Sequence, residues 1–117
     1  MPATDIVAHS RVWLERPGGY ILGEPEARLL EAIERTGSIK DGALAATMSY
    51  RTAWARVRDM EHALGQPIVR SRAGGPGGGS TTLTAEAQGL LRVFREIDRR
   101  VADALREAFP HALELAS

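Results

Sequence analysis

The 117-residue sequence has no cysteine, which excludes a disulfide framework and any thiolate metal site and fits a reducing cytoplasm. Its apolar runs fall short of the ~18 to 20 residues that a membrane span requires, and the opening MPATDIVAHSR has no hydrophobic stretch of the signal-peptide kind. A soluble cytoplasmic protein with no membrane partner is expected. The three histidines, His9, His62 and His111, are scattered, and local spacing gathers neither a catalytic triad, nor a carboxylate pair, nor a set of metal ligands. No enzyme activity, no metal and no cofactor are expected. Lysine is nearly missing too: Lys40 stands alone against 14 arginines, a bias of composition rather than of mechanism.

Net charge is also absent, since 15 basic residues meet 15 acidic ones. That balance argues against a nucleic-acid partner until its distribution is read. Residues 49–72 hold Arg51, Arg56, Arg58, Arg70 and Arg72 against Asp59 and Glu61, a net of +3, while the stretches on either side are slightly acidic. Positive charge is concentrated in one segment. With 44% hydrophobic and 26% charged residues the composition is globular. The length suits a single domain whose modest core would be helped by a dimer.

The basic segment contains the most ordered pattern in the chain. SIKDGALAATMSYRTAWARVRDMEHAL, residues 38–64, reads as two short helices joined by a tight turn, Ile39 to Ala46 capped by Ser38 and a second helix capped by Ser49. In the second helix Ala53, Val57, Met60 and Leu64 recur at four, three and four, a buried stripe. Tyr50, Arg51, Thr52, Ala55, Arg56 and Arg58 are left mainly outside that stripe. Trp54, one residue away from it, is expected to pack. Small and arginine side chains at the start of a helix, preceded by a short packed helix, suit insertion into a DNA major groove. A plain helical hairpin with solvated arginines fits the same residues equally well.

The flanking segments favour the groove reading. RVWLE (11–15) and YIL (20–22), separated by RPGG, form a hairpin, and Trp13 is expected in the core rather than at a partner surface. A helix over 24–36 follows, with Pro25 at its start, Leu29, Leu30 and Ile33 on its inner face and Gly37 at its stop. After Gly65 a strand over 67–71 and a strand over 81–83 enclose RAGGPGGGS. A hairpin placed directly after two such helices is a wing. Its Gly74, Gly75, Gly77, Gly78 and Gly79 leave backbone amides open to phosphate, with Arg70 and Arg72 at the base. The loop lacks the Gly-Lys-Ser/Thr of a nucleotide-binding P-loop and leads into a strand.

Thr84 caps a final helix over 85–109, ~37 Å long at ~1.5 Å per residue, which Pro110 is expected to end. Leu90, Phe94, Ile97, Val101, Ala104 and Ala108 recur along it at fours and threes, with Leu105 beside them. This helix is longer than a small core needs, and a two-fold dimer through it is the expected use of the surplus apolar surface.

Residues 29–91 resemble the N-terminal winged-helix DNA-binding domain of the ModE molybdate-responsive regulators, which is itself similar to the LysR-type domain. LLEAIERTGSI, MSYRTAWARV and LGQPIVRSRAGGPGGGSTTLTAEAQGLL carry the resemblance; it extends upstream to the hairpin at 11–22, and Gly89 is displaced relative to the LysR pattern. The resemblance implies DNA binding and dimerisation through the long helix. In that family molybdate-binding domains follow the DNA-binding domain, whereas this sequence stops after the long helix, so molybdate is not expected to bind this chain.

The expected fold is mainly α with small β-hairpins: a winged helix-turn-helix in one domain (11–22 hairpin, 24–64 three-helix core, 67–83 wing, 85–109 dimerisation helix). The expected function is sequence-specific regulation of transcription by a homodimer on a palindromic operator of double-stranded DNA. A protein-interaction winged helix and a non-specific architectural DNA-binding protein are the alternatives.

Overall fold

The computed structural model describes residues 5–74 and 79–117. In chain order the elements are β1 (Leu14–Arg16), β2 (Gly19–Leu22), α1 (Glu24–Thr36), α2 (Ile39–Ala45), α3 (Tyr50–Leu64), β3 (Val69–Arg72), β4 (Ser80–Leu83) and α4 (Ala85–Leu113), closed by a 3-10 turn at Glu114–Ala116. Two antiparallel hairpins, β1–β2 and β3–β4, flank the helices. The fold is a winged helix-turn-helix with a long C-terminal helix, 66 Å in its longest dimension and 30 by 21 Å across.

Side-chain caps set the helix starts. Ser38 accepts from the Asp41 amide at 2.9 Å, Ser49 from Thr52 at 3.0 Å and Thr84 from Ala87 at 3.2 Å, each satisfying an amide that the first turn leaves without a partner. Gly37 and Gly65 close α1 and α3 in the left-handed conformation, at φ 81° and 75°. Between α2 and α3 the chain reverses at Thr47, whose φ of 59° is unusual for a β-branched residue. The helix-turn-helix therefore turns on a strained residue, held by the Met48 amide donating to the Ala43 carbonyl at 2.8 Å.

The core sits where α1, α2 and α3 meet and is closed by β2, β4 and the first half of α4. Leu22, Leu29, Leu30, Ile33, Val57, Met60, Ile68 and Phe94 are its largest buried apolar side chains. α1 and α2 approach so closely that a Cβ on Gly42 would lie 2.7 Å from Ile33 Cγ1 and 3.0 Å from the Ile33 backbone. Overpacking of this kind costs about 1 to 3 kcal/mol, against a gain of about 1 from replacing a helical glycine. Gly42→Ala should therefore lower the urea midpoint, with the slope of the transition unchanged.

Four expectations are corrected. β1 starts at Leu14, not Arg11, and Trp13 is 48% exposed rather than in the core, because Val12 and Leu14 on either side of it turn inward. The wing strands run over 69–72 and 80–83, offset from the expected 67–71 and 81–83, because Ile68 is buried in the core ahead of the ladder that begins with Val69 opposite Leu83. Pro110 lies inside α4, which continues to Leu113, since the φ of proline suits a helix and only one hydrogen bond is forfeited near the end.

The fourth correction concerns the long helix, which carries two apolar stripes about 100° apart rather than one. Ala87, Leu91 and Phe94 are buried, and Phe94 is fully enclosed by its own subunit. That inner stripe continues through Ala102, Leu105 and Phe109, which line a groove of about 560 Å³ against residues 6–10 of the N-terminal arm. The other stripe, Val93, Ile97, Val101, Ala104 and Ala108, faces solvent. Of the expected dimer residues, Phe94 and Leu105 thus lie on the inner stripe, and Leu90 is half-buried against the core. Both stripes satisfy a four-three spacing, so spacing alone merges them.

α4 is fixed to the core by Arg95. Its guanidinium donates to Glu24 at 2.7 and 3.0 Å and to Glu31 at 2.9 and 2.6 Å, bridging the first two turns of one face of α1.

Candidate nucleic-acid interface

The capped start of α3 presents the expected residues outward. Tyr50 is 54% exposed, and Arg51, Thr52, Ala55 and Arg58 are exposed, while Ala53, Val57 and Met60 anchor the opposite side. His62 lies on the same outer face, continuing the helical series 51, 55, 58, a position that the sequence reading passed over. Trp54 packs against the core, as expected, and its ring does more. Tyr50 meets it edge to face with centroids 6.3 Å apart, and the Arg58 guanidinium lies over it at 5.8 Å. An aromatic platform one turn wide holds Tyr50 on one side and Arg58 on the other.

The wing places its cations by strand alternation. Arg70 pairs with Thr82 and Arg72 with Ser80, and these four share the outer face, whereas Leu83 and Thr81 are buried on the inner one. The wing is tied to the helices by the Thr81 amide donating to the Gly37 carbonyl at 2.7 Å and by the Thr84 hydroxyl donating to Pro67 at 2.8 Å. Gly74 and Gly79 are exposed, and a Cβ on Gly79 would lie 2.4 Å from the Arg72 carbonyl oxygen, so the returning strand requires glycine there. Gly75, Gly77 and Gly78 lie outside the described residues.

Ion pairing divides the arginines into two groups. Arg28, Arg56, Arg95, Arg99, Arg100 and Arg106 each contact a carboxylate. Among the described residues Arg11, Arg16, Arg35 and Arg92 contact none, and neither do Arg51, Arg58, Arg70 and Arg72, so the charge of α3 and the wing stays open to an external anion. Arg56 departs from the sequence reading. It lies on the flank of α3 rather than its outer face, and its guanidinium donates to Glu26, which is 1% exposed. Nothing local signals this pair, because thirty positions separate the partners.

Burial pushes the Glu26 carboxyl up, but hydrogen bonds from Tyr20, the Gly23 amide, its own amide and Arg56 outweigh it and hold the group below its ordinary value of 4.5. Tyr20 moves the other way, to about 12, through burial, its hydrogen bond to Glu26 and the charge of that carboxylate. Glu24 is also lowered, chiefly by Arg95 against the opposing effect of burial, with Arg28 assisting. A carboxylate held low when folded adds stability above its unfolded value that is lost as pH falls through the folded one. Thermal denaturation should therefore show a melting temperature falling as pH drops below about 4.5, with a shallower fall in Glu26→Gln.

A capped helix with an outward basic face, preceded by a short packed helix and followed by a cationic hairpin, defines the class: a winged helix-turn-helix of the DNA-binding kind. The bacterial regulatory helix-turn-helix protein family of LysR type matches residues 26–88, more than half of the sequence, and the chain belongs to that family. Within it the chain is ModE-like. It is 36% identical over 105 residues to the molybdenum transport protein ModE of Azotobacter vinelandii, a match that covers 90% of this chain and 38% of that protein. It is 38% identical over 104 residues to the molybdenum-pterin-binding protein MopB of Rhodobacter capsulatus, covering 89% of this chain and 38% of the relative. The DNA-binding transcriptional dual regulator ModE of Escherichia coli (strain K12) is 33% identical over 82 residues, covering 68% and 31%. The chain thus spans about a third of the length of these relatives. Among the described residues no helix is long and apolar enough to cross a membrane.

Proposed function

We propose that this protein is a homodimeric, sequence-specific DNA-binding regulator of transcription that acts in the cytoplasm. The observation that carries the reading is the set of arginines Arg51, Arg58, Arg70 and Arg72, exposed on α3 and the wing and met by no carboxylate among the described residues. In this reading α3 enters the major groove. Tyr50, Arg51, Thr52 and Ala55, with Ser49 at the cap, approach base edges, and each good bidentate arginine contact to guanine contributes about 1 to 3 kcal/mol of discrimination. Arg58, Arg70, Arg72 and the wing glycines meet phosphates, fixing register without reading sequence.

The solvent-facing stripe Val93, Ile97, Val101, Ala104 and Ala108 supports a two-fold dimer through α4. Two recognition helices then require a palindromic operator with half-sites about one helical turn, or a multiple of it, apart. The relative from Escherichia coli is described as a DNA-binding regulator, which accords with this reading. Adding molybdate to these 117 residues should leave their DNA affinity unchanged.

A salt titration tests the DNA reading. Four open arginines per protomer should make log K fall steeply and linearly with log salt, by about 0.9 for each phosphate neutralised. Binding that ignores salt, or is absent at low salt, would favour a winged helix that docks another protein.

A further inference from the structure

Among the described residues Glu26 is the one carboxylate in the interior, 1% exposed. Three elements converge on it. Its Oε1 accepts from the Tyr20 hydroxyl of β2 at 2.5 Å and from the Gly23 amide at the start of α1 at 2.8 Å. Its Oε2 accepts from Nη1 of Arg56, on α3. Burying an ionised carboxylate costs several kcal/mol unless every lone pair is met, and packed apolar residues would fill the same space as stably. The Glu26 site therefore supplies orientation and charge placement beyond what cohesion alone requires. Arg56 is four positions beyond Thr52 and beside Ala55, close to the outward face of α3, yet its charge is directed inward and balanced.

We infer that Glu26 is a positioning residue for DNA recognition: its ion pair with Arg56 fixes the rotation of α3 against β2 and α1 and withdraws the Arg56 charge from the phosphate-contacting set. This rests on the reading of α3 as the recognition helix. The side chain of Arg56 is 43% exposed, so without its partner the guanidinium can swing out toward a phosphate. Glu26 thereby limits the non-specific part of binding, which depends on the number of available cations.

The experiment measures affinity for mixed-sequence duplex DNA as a function of salt for the wild type, Arg51→Gln, Arg56→Gln, Glu26→Gln and the double variant Glu26→Gln/Arg56→Gln, each checked for helix content by circular dichroism. Arg56→Gln should keep the wild-type salt slope. Glu26→Gln should steepen it by about 0.9 and bind mixed-sequence DNA more tightly, since the released arginine gains a phosphate. The double variant should return to the wild-type slope, a reversal that a purely structural role for Glu26 would not produce. A slope shallower by about 0.9 in Arg56→Gln, or a folded Glu26→Gln with the wild-type slope, would overturn the inference while leaving the DNA reading intact. Should Glu26→Gln fail to fold, the Arg56→Gln slope alone decides. A wild type with no salt-dependent binding, indistinguishable from Arg51→Gln, would overturn the DNA reading and this inference with it.

Discussion

Replacing Arg51 and Arg58 together with alanine should reduce affinity for the operator by at least about 30-fold. A bidentate base contact from Arg51 contributes about 1 to 3 kcal/mol and a charge-assisted contact from Arg58 to phosphate about 1.5 to 3 kcal/mol, and each 1.4 kcal/mol is tenfold. Both side chains are exposed and neither is paired with a carboxylate among the described residues, so their removal should leave the fold and its melting temperature nearly unchanged. Arg58 is held over the Trp54 ring, which makes it the better placed of the two for a fixed contact. Fluorescence anisotropy on an operator duplex would measure the loss, and an affinity within threefold of the wild type would remove α3 from the interface. Arg56→Ala should behave differently: its partner Glu26 is buried, so the change should appear mainly as lost stability, with the carboxylate left unpaired.

The second large effect lies at the other end of the molecule. Ile97 and Val101 are 43% and 39% exposed on the outer stripe of α4, and Val93 beside them is 53% exposed. An aspartate at both Ile97 and Val101 would place two charges per protomer in the proposed dimer seam, where no cation on the same stripe can balance them. The double variant should sediment as a monomer and bind a single half-site weakly, losing the affinity gained from engaging two half-sites at once. Phe94→Asp would be a poor test of the same idea, because Phe94 is fully buried in its own subunit and the variant would unfold. A double variant of Ile97 and Val101 that stays dimeric would place the interface elsewhere.

The elements legible in the sequence are those fixed by local chemistry. Ser38, Ser49 and Thr84 cap the helices they were expected to cap, Gly37 and Gly65 end helices as expected, and α1 runs over the expected 24–36. The stripe of Ala53, Val57 and Met60 follows from helical spacing and turns the basic residues of α3 outward. What stayed hidden depends on which neighbour a side chain meets. Four-three spacing could not say that Phe94 belongs to the subunit core while Ile97 does not, because both satisfy it. Val93 was missed for the same reason. The Glu26–Arg56 pair depends on α1 and α3 crossing, and the exposure of Trp13 on the inward turn of its neighbours. Arg95 was equally opaque, since its carboxylates sit 64 and 71 positions away.

The central claim is that one protein dimer reads an inverted repeat, and selection from a random duplex pool tests it most directly. The purified 117-residue chain is incubated with the pool at moderate salt, and the retained DNA is sequenced. An enriched inverted repeat, with half-sites about one helical turn or a multiple apart, is the predicted outcome. Retention without enrichment would contradict sequence-specific reading and indicate an architectural binder, and no retention at low salt would contradict DNA binding itself.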